Sequence, residues 1–148
     1  MQKSPSLKAR ALRLLSTREH SRTELERKLA AFEEVEGELG KALDALQAKG
    51  FINEERVLES LIHRRAPKLG TNRIRQELES KGLAPEAIRD AVATLRSTEA
   101  ERARAVWEKK FGKSEASATP AERAKQMRFL AARGFSGDVI RKVTYSPK

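Results

Sequence analysis

The chain has 148 residues, contains no cysteine and carries a formal net charge of +10. The absence of cysteine excludes disulfides, thiol nucleophiles and thiolate metal sites, and it agrees with a reducing compartment. No stretch is apolar enough to span a membrane and residues 1–6 lack the apolar core of a signal peptide, so we expect a cytoplasmic protein. Hydrophobic residues make up 39% of the chain and charged residues 35%, a balance typical of amphipathic helices with solvated faces.

Along almost the whole chain, apolar residues recur with the spacing of one helix face, and no alternating strand pattern is present. In chain order this pattern predicts short helices near residues 7–17, 21–32, 36–49, 53–65, 71–81, 85–95, 98–111, 120–133 and 136–143. Capping boxes that begin at Ser21, Thr98 and Thr119 predict three of the helix starts. The polar segment 112–119 is expected to form a mobile, exposed loop.

Three helix ends are predicted at Gly50, Gly82 and Gly134, each of which follows a cation. Glycine just beyond the last turn adopts a left-handed conformation easily, and a cation in that turn interacts favourably with the helix dipole. These helix ends also reveal an internal repeat, because segment 78–84 matches segment 130–136 position by position. The spacing from Leu12 to Leu29 equals that from Leu61 to Leu78 and extends the repeat to the beginning of the chain.

The predicted fold is therefore all-α, with three tandem three-helix repeats of about 50 residues that occupy 1–50, 51–96 and 97–148. A unit of that size has a thin core of its own. We therefore expect neighbouring units to stack into an elongated, curved body and to bury Phe51, Leu83 and Phe135 at or near the junctions.

No residue pattern indicates catalysis or a metal site. His20 and His63 lack the partners of a metal or acid–base site, and positions in a turn and in a solvated basic cluster account for them. The tripeptide that begins at Gly112 resembles the end of a phosphate-binding loop, but Trp107 occupies the place of the first glycine. Trp107 and Phe129 fit core packing better than base stacking. We predict no catalytic residue, no cofactor and no metal.

Positive charge is concentrated in two tracts. Residues 60–76 contain cations and no acid, and residues 123–142 contain six cations against one acid. Like charges on neighbouring helix ends repel each other, so these tracts favour a surface for DNA or an acidic protein over an ordinary solvated helix face. Residues 33–38 form an acidic patch in the first repeat, so the chain could contact protein and nucleic acid together. The predicted binding residues are Arg18, Arg22, Arg64, Arg65, Lys68, Arg73, Arg75, Arg128, Arg133, Arg141 and Lys142.

Several segments resemble the bacterial regulatory protein RecX family over nearly the whole chain. They read REHSRTEL at 18–25, GFINEER at 50–56, ELESKGL at 77–83 and RFLAARGFS at 128–136. Asn53 and Val57 depart from the acidic and aromatic residues that are usual in the family, at a helix start and in its packing. The resemblance implies a regulator, not an enzyme, in homologous recombination, DNA repair and the SOS response. Such a protein lodges in the RecA–DNA filament and restrains filament growth, ATP hydrolysis, strand exchange and coprotease activity.

The implied partners are RecA and the RecA–DNA filament, with direct binding of single- or double-stranded DNA left open, and we expect a monomer without membrane contact. An alternative from the same charge is an autonomous DNA-binding protein whose helix-turn-helix-like units enter duplex grooves. It ranks second because no recognition helix stands out. An enzyme is the third hypothesis, which nuclease and ATPase assays would test.

Overall fold

The computed structural model describes residues 4–112 and 119–145. Within these ranges the backbone forms eight α-helices and one 3₁₀ turn, Ala30–Phe32, and no strand. The all-α prediction is therefore confirmed. Most of the predicted loop falls on residues 113–118, outside the described ranges. The helices are α1 Leu7–Thr17, α2 Arg22–Leu29, α3 Glu38–Ala48, α4 Glu54–Arg65, α5 Thr71–Ser80, α6 Pro85–Phe111, α7 Pro120–Ala132 and α8 Gly137–Tyr145.

Two of the three predicted capping boxes begin helices. The Ser21 hydroxyl accepts a hydrogen bond from the backbone N–H of Glu24, and the Glu24 carboxylate accepts one from the N–H of Ser21 at 3.0 Å. Thr119 caps α7 by accepting from the N–H of Glu122 at 3.1 Å. Such caps satisfy backbone donors that have no partner inside the helix. The predicted starts of α2 and α7 are confirmed.

The third predicted start is wrong, because α6 continues without a break from Pro85 to Phe111. Thr98 lies inside this helix, where its hydroxyl donates to the carbonyl of Leu95 at 3.2 Å. Neither glycine nor proline occurs between residues 86 and 111, and alanine, glutamate and arginine on both sides of Thr98 favour the helix. The helices predicted at 85–95 and 98–111 are therefore one element.

The three predicted helix ends are confirmed, since Gly50, Gly82 and Gly134 adopt φ angles of 82°, 69° and 92°. At two of them the chain makes the same closing hydrogen bond. The N–H of Phe51 donates to Leu46 and the N–H of Phe135 donates to Leu130, each across five residues as in a Schellman motif.

The chain divides into two compact units, of which the first contains Met1–Ser60 and Ser80–Leu83. In this unit α1, α2 and α3 pack against one another. Phe51, which was expected to be buried, is 48% exposed, whereas Ile52 is buried. Ile52, the next residue along the chain, packs in the core of this unit instead. The core residues are Leu7, Ala11, Leu25, Leu29, Leu39, Leu43, Leu46 and Ile52.

The second unit contains Leu61–Glu79 and Ala84–Lys148, and in it α6, α7 and α8 pack against one another. One core cluster of this unit consists of Ala103, Leu130, Phe135, Ile140 and Val143. Phe135 is 4% exposed, and Leu83 of the first unit is also buried, as expected for both. No helix of the described residues is long and apolar enough to cross a membrane.

Candidate polyanion-binding surface

In the first unit, both predicted binding residues are held by ion pairs. The Arg18 guanidinium lies 2.8 Å from the Glu24 carboxylate. Arg22 contacts Asp44 at 2.7 Å and Glu26 at 3.2 Å. These contacts neutralise both cations locally, so the structure gives them a role in joining elements of the first unit.

Four predicted residues of the second unit are also engaged. Arg65 pairs with Glu77 at 3.2 Å, Arg75 pairs with Glu79 at 3.5 Å and Arg141 pairs with Asp138. Arg73 donates to the carbonyl of Ala132 at 2.8 Å. Exposed ion pairs of this kind stabilise a protein by about 0–1 kcal/mol each, but they reduce the net field that a polyanion would meet.

The remaining cations of the predicted set are free of such pairs. Arg64, Lys68, Arg128 and Lys142 are exposed, and none of them forms an ion pair with an acid of the described ranges. Arg133 is half-buried, and its guanidinium lies over the ring of Phe129. These side chains are available to an anionic partner.

A groove in the second unit, which we call the basic groove, is lined by four cations and one aromatic ring. We call its apolar lining the floor, which comprises Pro67, Ala105, Val106 and Phe129, and its cationic lining the rim, which comprises Lys68, Lys109, Lys110 and Arg133. The Arg133 guanidinium carbon lies 4.7 Å and the Lys110 Nζ lies 5.2 Å from the centre of the Phe129 ring. Among residues 4–112 and 119–145, no acidic side chain lines the groove, so its chemistry suits an anion.

Backbone contacts hold the segment that follows Lys68 against Arg133 and Gly134. The N–H of Gly70 donates to the carbonyl of Arg133 at 2.7 Å, and the N–H of Asn72 donates to the carbonyl of Gly134 at 3.2 Å. A Cβ atom built on Gly70 would overlap the backbone of Gly134. Only glycine therefore permits this approach.

Arg102 holds the turn that contains Pro67 and Lys68 through hydrogen bonds to the carbonyls on either side of it. The guanidinium of Arg102 donates to the carbonyl of Ala66 at 3.1 Å and to that of Leu69 at 2.7 Å. Burial lowers the pKa of Arg102, and the nearby Glu99 carboxylate partly offsets this. An arginine remains charged at any physiological pH, so these hydrogen bonds are charge-assisted and hold the turn firmly.

Glu99 anchors the same region through backbone donors. The side chain is 2% exposed, and its carboxylate accepts from the N–H of Thr71 at 2.9 Å and from the N–H of Ser136 at 3.5 Å. Burial by itself would raise the pKa of Glu99, but the hydrogen bonds from Thr71 and Ser136 lower it below the ordinary value. One carboxylate thus caps the beginnings of α5 and α8.

The aromatic residues beside the basic groove form a connected set. Phe129 meets Phe111 edge-on with ring centres 5.4 Å apart, and Trp107 lies 6.5 Å from Phe111. The Trp107 Nε1–H donates to Gln126 at 3.0 Å. Trp107 and Phe129 pack against the core cluster of the second unit, as their helical spacing predicted, but Phe129 also lines the basic groove.

Sequence reasoning missed Lys109 and Lys110, which lie outside the two basic tracts and in the last turn of α6. Two features of the sequence pointed toward a cationic cluster there. Phe129 and Arg133 are four residues apart and therefore share a helix face, and cations accumulate at helix ends. Neither signal could show that α6 and α7 end at the same groove.

The two histidines have different surroundings. His63 is exposed, whereas His20 is 1% exposed and has its Nδ1 3.0 Å from the carbonyl of Arg18. Burial lowers the pKa of His20 below its ordinary value, which favours the neutral ring. In residues 4–112 and 119–145, no group of three or more His, Cys, Asp or Glu side chains could hold a metal ion.

Comparison with known proteins relates this architecture to a family. Residues 53–92 match the second three-helix domain of RecX, and residues 97–144 match the third. The regulatory protein RecX of Leptothrix cholodnii is 52% identical over 93% of this chain and 87% of its own length. The chain belongs to the RecX family. The regulatory protein RecX of Ralstonia pickettii is 49% identical over 93% of this chain and 86% of its own length.

A solved RecX structure has the same fold. The crystal structure of RecX from Lactobacillus salivarius superimposes with a TM-score of 0.77, covers 95% of this chain and 94% of its own, and is 22% identical. The relatives are named regulatory proteins, which agrees with the prediction of a regulatory role.

The two RecX domain matches share one helix. The second domain ends at residue 92 and the third begins at residue 97, and both positions lie within α6. Lys68 belongs to the part of the chain that matches the second RecX domain, whereas Lys109, Lys110 and Arg133 belong to the third. The basic groove therefore combines residues from two RecX domains, and the continuous helix α6 supplies part of it.

Proposed function

We propose that this chain binds the RecA–DNA filament and restrains filament growth, ATP hydrolysis by RecA, strand exchange and coprotease activity. The observation that carries the proposal is its similarity, along 93% of its length, to proteins named regulatory protein RecX. The motifs at 18–25, 50–56, 77–83 and 128–136 imply RecA as the target of that regulation. In this proposal RecA hydrolyses the ATP, and the RecX-family chain acts by binding.

The charge distribution supports a partner that contains DNA. A net charge of +10 attracts a polyanion over a distance of about one Debye length, roughly 8–10 Å at moderate salt. The exposed cations without ion pairs then make the close contacts. We assign this role to Arg64, Lys68, Arg128, Arg133 and Lys142, and we assign a structural role to the predicted residues that are already engaged, Arg18, Arg22, Arg65, Arg73, Arg75 and Arg141.

A RecA assay on single-stranded DNA tests the proposal. We expect substoichiometric amounts of the chain to lower DNA-dependent ATP hydrolysis and to reduce strand exchange. The double variant Arg64→Gln/Arg128→Gln should require roughly 10- to 30-fold more protein for the same inhibition, because each phosphate contact contributes a factor of about five near 0.1 M salt.

A matched control removes two cations that are already paired. The variant Arg75→Gln/Arg141→Gln has the same net charge as the first variant, and both its substitutions lie in exposed ion pairs. It should inhibit RecA as the parent chain does, with equal helicity by circular dichroism. Unchanged ATP hydrolysis and strand exchange in the presence of the parent chain would contradict the proposed function itself.

A further inference from the structure

We propose that the basic groove binds a nucleotide segment of a single-stranded nucleic acid directly, in the absence of RecA. The groove lies where the ends of α4, α6 and α7 meet and is built from Lys68, Lys109, Lys110, Arg133 and Phe129, with a smaller apolar contribution from Pro67 and Val106. This binding is independent of the proposed action on RecA and is tested without that protein.

The first argument is charge. Four cations that line one groove repel one another, and its lining contains no acid from the part of the chain that the structure describes. A helix C-terminus stabilises a nearby cation by about 0.3–1 kcal/mol, which accounts for Lys110 or Arg133 taken singly. The helix C-terminus does not explain why Lys110 and Arg133 line the same groove as Lys68, which follows a different helix. An anion with several closely spaced charges would relieve the repulsion.

The second argument is the preorganisation of the cations. The guanidinium of Arg133 and the ammonium of Lys110 both lie over the Phe129 ring, at 4.7 Å and 5.2 Å from its centre. Contact with an aromatic face stabilises a cation by about 0.5–1 kcal/mol at an exposed site and restricts its motion. Phe129 is itself held edge-on by Phe111. Two of the four charged groups, those of Lys110 and Arg133, are thus positioned before a ligand arrives, which lowers the entropic cost of binding.

The third argument selects the class of anion. The apolar lining of the groove includes Pro67, Val106 and the partly exposed Phe129. A nucleotide of an unpaired strand has both a phosphate and an accessible flat base and sugar, so it complements the rim and the floor together. A duplex presents phosphates but hides its bases, and an acidic peptide presents carboxylates without a flat apolar group beside each charge. The observations therefore favour the single strand.

Fluorescence anisotropy with a labelled oligothymidine of about 15 nucleotides tests the inference on the full chain. We expect Lys109→Gln/Lys110→Gln to weaken binding roughly 10- to 30-fold near 0.1 M salt, since each lost phosphate contact removes a factor of about five there. The slope of log affinity against log salt should become shallower by about 1.4, or about 0.7 for each contact. Unchanged affinity and slope in this variant would overturn the inference, as would failure of the parent chain to bind the oligonucleotide.

Two further variants separate the groove from general charge. Arg89→Gln/Lys125→Gln removes two exposed cations of the second unit that do not line the groove, and its affinity should stay within about twofold of the parent. Phe129→Leu keeps an apolar floor and removes the ring, so affinity should fall several-fold while the salt slope changes little. If the control variant lost as much affinity as the lysine variant, the binding would be non-specific and the groove assignment would fail.

Competition distinguishes the ligand classes. Unlabelled single strand should displace the probe, whereas duplex, polyglutamate of equal charge and inorganic pyrophosphate should each need at least tenfold higher concentration. Equal competition by any of these three would overturn the assignment to a single strand. Because RecA is absent, a negative result here leaves the RecA assay unaffected, and failure of RecA inhibition leaves this binding result unaffected.

Discussion

The two units of the chain each bury a glutamate, but they stabilise its charge in different ways. In the first unit, Glu24 lies within 2.8 Å of Arg18 and 2.9 Å of Lys81, and it also caps its own helix. In the second unit, Glu99 lies within hydrogen-bond distance of the N–H groups of Thr71 and Ser136. The first carboxylate is neutralised by cations, whereas the second is stabilised by the ends of two helices.

This difference has a consequence for the surface charge. The carboxylate of Glu24 engages two cations that would otherwise contribute to the positive field of the first unit. The carboxylate of Glu99 engages backbone donors, while the partly buried guanidinium of Arg102 donates to backbone carbonyls. Because the second unit satisfies its buried acid without the rim cations, Lys68, Lys110 and Arg133 remain available at the basic groove.

The largest expected effect comes from removing the acid that is held by backbone donors. Glu99→Ala leaves the N–H groups of the buried Thr71 and the half-buried Ser136 without an acceptor, and it removes the carboxylate that acts on Arg102. We therefore expect the free energy of unfolding to fall by about 3–5 kcal/mol. Urea unfolding followed by circular dichroism measures this. Glu99→Gln keeps one acceptor oxygen and should lose less. A loss below about 1 kcal/mol for the alanine variant would show that the α5 and α8 caps are dispensable.

A second prediction concerns the backbone approach that forms the basic groove. Gly70→Ala forces a Cβ atom into the backbone of Gly134, and we expect a loss of about 2–3 kcal/mol together with weaker oligonucleotide binding. Gly40→Ala is the matched control in the first unit, because nothing lies within 4 Å of the added atom and the residue is inside α3. That variant should be more stable by about 0.5–1 kcal/mol. Equal behaviour of the two variants in urea unfolding would contradict the proposed constraint at Gly70.

The smallest expected effect is the pH dependence that Glu24 contributes to the stability of the first unit. Arg18, Ser21 and Lys81 outweigh the effect of burial and lower the pKa of Glu24 to about 2. A carboxylate whose pKa is lower in the folded state contributes stability above its unfolded pKa, and this contribution is lost as pH falls through the folded value. Between about pH 5 and about pH 2, Glu24→Gln should therefore show a weaker loss of stability than the parent chain.

The salt dependence of stability, measured in the same experiment, should distinguish the two carboxylates further. Ion pairs with partly exposed partners such as Arg18 are screened by salt, whereas hydrogen bonds from buried N–H groups are screened much less. The difference in unfolding free energy between Glu24→Gln and the parent chain should therefore shrink in 1 M salt. The corresponding difference between Glu99→Gln and the parent chain should persist. Identical pH profiles for the parent and Glu24→Gln would contradict the charge-pairing account.

Features that depend on residues close together in the chain were predictable. The caps at Ser21 and Thr119 and the left-handed ends at Gly50, Gly82 and Gly134 follow from hydrogen bonds that span five residues or fewer. The capping pattern at Thr98 shows the limit of this reasoning, because the same residue types inside a continuous helix bond to the preceding turn instead. A capping pattern therefore marks a helix start only where the preceding residues are not already helical.

Burial and the composition of the basic groove depended on residues far apart in the chain. Phe51 and Phe135 occupy the same position after the same type of turn, yet one is exposed and the other is buried. Likewise, the cationic character of residues 60–76 and 123–142 was evident from composition, but the partners of Arg22 and the meeting of Lys68 with Lys110 were not. By itself the sequence determined an all-helical, basic member of its family, because periodicity, caps and charge are local or additive quantities. Only the tertiary structure decided which cations are neutralised and which converge, because electrostatic and packing energies depend on distances between residues that the order of the chain does not specify.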